Sequence, residues 1–391
     1  MNRFKYWLLS FWITALHLAP SLAAGDEVRV ASRDELVRAF GNAQPGTTIL
    51  IAPGTYRGGI APGKLQGRKD QPIVIAAADP ADPPVIEGGG SGLHLSSPAH
   101  LELRDLIIAK ANGNGINIDD GGSSQSPGHD LFLRNLTIRD VGPSGNRDGL
   151  KLSGVNDFRV DGCRIMRWGS NGSAIDMVGC QRGLVTSCTF QEGGDQANGV
   201  QAKGGSNQIV VQYCRFENAG GRAINIGGST GLDYFRPQLG DFEAKEITVQ
   251  DCEIIGGMSA IAFVGCDGAL VQHNTIYRPT RWPLRILQEN TDAKFVPSRK
   301  GVFQKNLVVF RTGEVRQVVN IGPGTAPETF EFTGNQWHAL DAPNQTQRFL
   351  RLPAKETSGI YNHPPEFKDA DQLDFSLPGR KPSDPGVRPA T

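Results

Sequence analysis

One short phrase recurs along the chain and limits what the chain can become. A small residue is followed by an apolar position, a variable one, a second apolar position, and then a polar or glycine-rich corner. Copies begin at Gly92, Gly115, Gly149, Ala174, Gly199, Ala223, Ala260 and Pro283, with a looser copy through Val319 and Ile321. The residues between the two apolar positions are 94, 117, 151, 176, 201, 225, 262, 285 and 320. Their spacing centres on about 24 residues with occasional longer intervals, the pattern of a solenoid with insertions. Alternation with period two inside each copy indicates strand rather than helix. The strands therefore stack in parallel, one per coil, and the insertions become loops.

A second recurring strand carries Asn or Cys, then any residue, then an apolar one. The series is Asn135, Cys163, Cys188, Cys214, Cys252, Asn274, Asn306 and Asn335. A turn that faces inward needs a residue that packs small or bonds the backbone, and stacked Asn side chains do so as a ladder. Four of the six cysteines sit in this series, so the reading is of free, buried thiols. In-register parallel side chains point the same way and fit the bridge dihedral poorly.

The repeat argues for one long domain, and 49 Gly with 25 Pro suit a fold that turns every few residues. Lys plus Arg and Asp plus Glu balance at 40 each, which gives no global charge for nucleic acid. Residues 1–24 carry Arg3 and Lys5, an apolar run from Trp7 to Leu18 and a small-x-small site at Ser21-Leu22-Ala23. They read as a secretory signal peptide, which implies a secreted or periplasmic protein with no membrane span once the signal is removed. A helix is expected over Arg33 to Asn42, with Ser32 as cap and Leu36, Val37 and Phe40 as its apolar face. It would cover the open end of the solenoid. The solenoid is placed at 25–345 in about nine to ten coils, with 346–391 a C-terminal extension and partly loose tail. A monomer is expected.

Two stretches carry a resemblance. Glu35-Leu-Val-Arg-Ala-Phe is followed by Pro45-Gly-Thr-Thr-Ile-Leu-Ile-Ala-Pro-Gly-Thr-Tyr, and later by Lys69-Asp-Gln-Pro-Ile-Val-Ile-Ala-Ala. This opening resembles secreted proteins of the pectate-lyase-like superfamily, nearest to the chondroitinase B and alginate lyases, over roughly residues 27 to 340. The resemblance implies an all-β fold, a single-stranded right-handed parallel β-helix with the N-terminal helix as cap. It also implies an acidic polysaccharide as partner.

In the first recurring strand the flanking apolar residues point inward, and all eighteen are apolar. The residues between them form an outward column, His94, Asn117, Lys151, Asp176, Gln201, Asn225, Ala262, Arg285 and Asn320. Its neighbour is Ser96, Asp119, Ser153, Val178, Lys203, Gly227, Val264, Leu287 and Gly322. Lys151, Asp176, Gln201, Lys203 and Asn225 gather on one patch bordered by Asp148 and Arg222. Lys151 and Asp176 can also be a plain ion pair between neighbouring coils. Lys203 has Val178 and Gly227 as column neighbours, no stacked acid, and open space at the glycine. Insertions at 119–128, 228–245 and 288–300 should emerge along one edge as a groove wall carrying Tyr234, Asn290 and Phe295. Trp282, between Arg281 and Arg285, is a candidate sugar platform.

Such a patch suits β-elimination from a uronate. Cations neutralise the carboxylate, a base takes the adjacent proton, and an acid protonates the leaving oxygen. Lys203 and Arg222 are the expected catalytic residues. Lys151, Asp176, Gln201, Asn225, Arg285, Trp282 and Tyr234 are expected to bind substrate. In the lyases that the chain resembles, a lysine follows two acidic calcium ligands by seven and five residues. Lys203 aligns with it, but the ligand positions are Gln196 and Asn198, and Arg222 is displaced by two residues from the family's arginine. Calcium would then recruit Asp195, Asn198 and Asn171, or be absent. Three alternatives stay open. The epimerases that resemble this group carry Asp-Pro-His-Asp, which Ser126-Pro-Gly-His-Asp in an insertion matches poorly; a hydrolase would pair Asp148 with Asp176, and a non-catalytic solenoid would only bind glycan.

Overall fold

The computed structural model describes residues 25–388 except positions 143, 380 and 382. The signal-peptide stretch 1–24 lies outside the described residues. Among them the chain winds into a parallel β-helix of three sheets, two with twelve strands and one with nine. One coil illustrates the rest. Ser173–Val178 lies in the nine-stranded sheet, Gln181–Thr186 in one long sheet and Thr189–Gly193 in the other. The chain then returns to the nine-stranded sheet at Asn198–Lys203. Every strand pairs in parallel with its counterpart one coil away, as Ile175 does with Val200 and Asp176 with Gln201.

The helix has about twelve turns rather than nine to ten. Glu27–Val30, Thr48–Ile51 and Ile73–Ala77 extend one long sheet ahead of the coil that first supplies a strand, Leu93–Ser96, to the nine-stranded sheet. These early turns carry no copy of the counted phrase. Seventeen of the eighteen inward positions are buried, and Ile321 is the exception at 39% exposed. It ends the last strand of its sheet, which has a neighbour on one side only.

The inward ladder runs through Cys163, Cys188, Cys214 and Cys252 to Asn274, Asn306 and Asn335. Asn274 Nδ2 donates to Asn306 Oδ1 at 2.9 Å, and Asn306 Nδ2 donates to Asn335 Oδ1 at 3.1 Å. All six cysteines are free and buried. Asn135 is not a rung. Thr137 pairs with Arg164, so Leu136 stands level with Cys163, while Asn135 occupies the left-handed turn before it at φ 51°. Asn serves either purpose, a rung or a left-handed turn, and the sequence phrase could not tell them apart.

The helix Arg33–Asn42 forms with a reciprocal cap. Ser32 Oγ accepts from the Glu35 amide at 3.3 Å, and Glu35 accepts from the Ala31 amide at 2.8 Å. Leu36, Ala39 and Phe40 bury, whereas Val37 is 42% exposed. Residues three and four apart share a helix face and the next residue does not.

Described parts of the C-terminal extension pack on the solenoid. Ile360–Tyr361 adds a strand beside Gln336–Ala339, so the solenoid continues past 345. Phe367 and Phe375 pack against Tyr277, and Arg388 grips Asp251 with nitrogens at 2.9 and 2.6 Å. Among the described residues no helix is long and apolar enough to cross a membrane.

Candidate active site

The nine-stranded sheet places the outward column in the expected register, from His94 opposite Asn117 through to Arg285 opposite Asn320. Its centre is not a solvated face. Asp176, Gln201 and Asn225 are buried, and the three insertions pack on one another as a wall along one edge. Arg236 of the second reaches Asp120 of the first at 2.9 Å. Phe235 stacks on Phe295 of the third. Buried Glu243 accepts from the amides of Gly204 and Thr230, the Thr230 hydroxyl and Asn290 Nδ2.

Between this wall and the turns that precede the strands lies a cavity of about 350 Å³. Its floor is Gln201, Lys203, Asn225 and Arg285; Asn146, Asn171, Asp195, Gln196 and Asn198 line one side, and Arg222, Ser229, Met258 and Glu289 complete it. The predicted residues Lys203, Arg222, Gln201, Asn225, Arg285, Asp195, Asn198 and Asn171 thus come together in one place. Glu289 and Asn146 were not foreseen. Glu289 sits in the third insertion, whose edge placement was the available signal.

Inside the cavity the amides organise the cations. Gln201 Oε1 accepts from Ser173 Oγ at 3.1 Å, Asn198 Nδ2 at 3.2 Å and Lys203 Nζ at 3.5 Å. Arg222 forms a two-pronged pair with Glu289 and also donates to Asn225 Oδ1 at 3.2 Å. Asn225 Nδ2 is buried with no hydrogen-bond partner among the described residues. Arg285 donates to Asn320 at 3.0 Å and lies over the Trp282 ring. Burial and the neighbouring Arg222 charge lower its guanidinium from the usual arginine value, so an incoming anion is favoured there.

Several expectations change. Lys203 does have an acid partner, Asp176 Oδ1 at 3.3 Å. The two are diagonal neighbours, and a lysine stem spans that diagonal. Among the described residues that oxygen has no donor in hydrogen-bonding geometry, so the contact is ionic. Gly227 offers no open space either. A Cβ there would lie 1.7 Å from the Val264 carbonyl oxygen, and its φ is +104°; the glycine serves the backbone. Trp282 is buried, with Arg281 and Arg285 each over its ring at 4.3 and 4.2 Å, which removes it as a sugar platform. Tyr234 is 67% exposed and does not line the cavity.

Lys151 and Asp176 lie beside the cavity lining, not in it. Lys151 Nζ contacts Asp176 at 2.5 Å and Asp148 at 3.3 Å. Burial alone would lower its ammonium, but the two carboxylates outweigh that and raise it. Burial would raise Asp176, yet Lys203 and Lys151 hold it below its ordinary value. Asp148 has the opposite fate: burial and the Asp176 charge raise it from 3.8 to about 6.

Folded Asp148 therefore keeps its proton to a higher pH than the unfolded chain does. Its contribution to stability is full below about pH 4 and is lost as pH rises through about 6, a change of about 3 kcal/mol. Asp148→Asn removes this dependence. The stability difference, wild type minus variant, should fall between those pH values and then level off, as measured by urea unfolding at several pH values. A flat difference would contradict the assignment.

A family model described as a right handed beta helix region matches residues 85–278. The fold of the chain is that of a right-handed parallel β-helix. No curated protein matches it in sequence. Among solved structures this β-helix protein is similar to the pectate lyase Pel9A, at 13% identity over 94% of this chain and 90% of that one, TM-score 0.57. It is similar to the PL6 family polysaccharide lyase Pedsa3628 from Pseudopedobacter saltans, at 16% identity over 93% and 96%, TM-score 0.55. An alginate lyase from Paenibacillus sp. str. FPU-7 aligns at 18% identity over 77% and 99%, TM-score 0.52. At such identities the likeness establishes the shared fold, and the chemistry must be argued from the residues of the cavity.

Proposed function

We propose that this β-helix protein is an exported polysaccharide lyase that cleaves a uronate-containing chain by β-elimination. The carrying observation is that Lys203, Arg222 and Arg285 share one cavity otherwise lined mainly by amides. Arg222 and Arg285 suit a carboxylate, because a planar guanidinium grips two oxygens at once. Arg222 already holds one carboxylate, that of Glu289, which shows that its guanidinium is placed to take such a group. Neutralising the uronate acidifies the adjacent C–H. A proton carrier is then required, and guanidinium groups and amides do not release protons in this range. Among the lining residues that leaves Lys203, Asp195 and Glu289. Glu289 is tied to Arg222 and Asp195 is exposed, so Lys203 takes the part. The C–H bond breaks, the C=C bond forms, the C–O bond to the next sugar breaks, and the proton passes to the leaving oxygen. The export expected from residues 1–24 and the shielding of the solenoid end by the Arg33–Asn42 helix belong to the same reading.

This reading does not route a step through calcium. Ca²⁺ takes six to eight oxygens and favours several carboxylates. Of Asp195, Asn198 and Asn171, only Asp195 brings a carboxylate, and the nearby Gln201 oxygen is already shared by three donors including Lys203. The donor set does not fit. A hydrolase reading loses its pair, since Asp148 and Asp176 are buried and outside the lining. The segment Ser126-Pro-Gly-His-Asp runs into the strand Gly128–Arg134 of a different sheet.

Affinity tests the substrate class. Binding of a polyuronate should weaken steadily as salt shortens the Debye length from about 10 to about 3 Å, and an uncharged glucan should bind far more weakly. Salt-insensitive binding, or equal affinity for the glucan, would remove the uronate reading.

A further inference from the structure

His100, His129 and Asp130 belong to no part of the proposed active site. They lie on the outside of a long sheet, while the cavity is built on the nine-stranded one. From the strand Ala99–Arg104 to the strand Arg299–Gln304, each strand of this sheet has one residue in the left-handed conformation, and these residues stack. His100 at φ 46° and Asp130 at φ 54° are successive members of that stack, fixed by the pairing of His129 with Ala99 and of Leu131 with Leu101. The kink turns both side chains to one spot, where His129 joins them. His129 Nδ1 is 2.7 Å and His100 Nδ1 is 3.6 Å from the same Asp130 oxygen, Oδ2. The ligand atoms of all three residues lie within 4.8 Å of one another. The imidazole rings stand at 88° with centroids 5.2 Å apart, so they converge on the carboxylate from different directions instead of stacking.

We propose that His100, His129 and Asp130 form a surface site for a divalent transition-metal ion of the zinc type. Two imidazoles and a carboxylate are borderline ligands that suit zinc, nickel or copper and disfavour calcium or magnesium. Bond lengths of about 2.0–2.1 Å in a tetrahedral site separate donor atoms by about 3.3 Å. The His100–Asp130 separation is close to that, and the His129–Asp130 separation needs to open by a few tenths of an ångström. The next member of the stack, Asp157, is already committed to Arg182 through two contacts of 2.7 Å, so the set closes at three protein ligands. Asp130 also borders a surface hollow of about 460 Å³, which leaves the fourth position to water or a small ligand. The ion would tie two adjacent turns together and so stabilise the folded state.

The experiment is calorimetric titration of the untagged full chain with zinc chloride, with calcium chloride in parallel, repeated on His100→Ala, His129→Ala and the double variant. The expected result is one equivalent of zinc bound with Kd below about 10 µM, no comparable calcium binding, and affinity at least about tenfold weaker in each single variant. Zinc should also raise the melting temperature of the wild type and not of the double variant. No zinc binding by the wild type, or binding unchanged in the double variant, would overturn the proposal. Far-UV circular dichroism of each variant shows that the β-helix is intact.

Discussion

Replacing Lys203 with alanine is expected to cut turnover of a polyuronate by about 10²–10⁴-fold, the usual worth of a positioned proton carrier. Lys203 is the cavity amine, set on Gln201 and Asp176. Its loss should act on kcat more than on KM, because Arg222 and Arg285 remain to hold the carboxylate. Lys203→Arg sharpens the test. It keeps the charge beside Asp176 but cannot give up a proton, so binding should persist while turnover stays low. Steady-state kinetics and binding by calorimetry on both variants check this. Full activity in Lys203→Arg would assign Lys203 to charge alone.

Asp176→Ala is expected to lower stability by about 3–5 kcal/mol, the cost of removing one partner from a buried ion pair. Asp176 is fully buried and holds both Lys151 and Lys203. Its removal leaves Lys151 with Asp148 alone and Lys203 with no carboxylate within ion-pair distance among the described residues. Denaturant midpoints measure the loss, and hydrogen exchange should localise it to the turns around 150–203. A variant as stable as wild type would show that the two lysines find water or other partners at no cost.

Much of this architecture is legible in the sequence because a solenoid repeats its instructions. The register of the outward column follows from a period-two phrase whose inward positions are all apolar, and a one-residue slip would bury charges. Lys203, Arg222, Gln201, Asn225 and Arg285 reach one cavity for that reason. The misses lie where the repeat carries no instruction. The Lys203–Asp176 contact is diagonal, and column neighbours alone do not reveal it. Trp282 reads as a platform until Arg281 and Arg285 are seen over its ring. Glu289 comes from a loop, whose path is not periodic. Leu136 displaces Asn135 from the ladder because the left-handed turn and the rung are adjacent and Asn suits both.

The most direct measurement of the central claim is the ultraviolet absorbance of the protein incubated with polyuronates, alginate and pectate among them, and with a neutral glucan. β-Elimination leaves a conjugated double bond on the new non-reducing end, whereas hydrolysis leaves none. The account predicts rising absorbance with at least one polyuronate, none with the glucan, and little with Lys203→Ala. Chain shortening without absorbance, or no cleavage of any polyuronate that the protein binds, would contradict it.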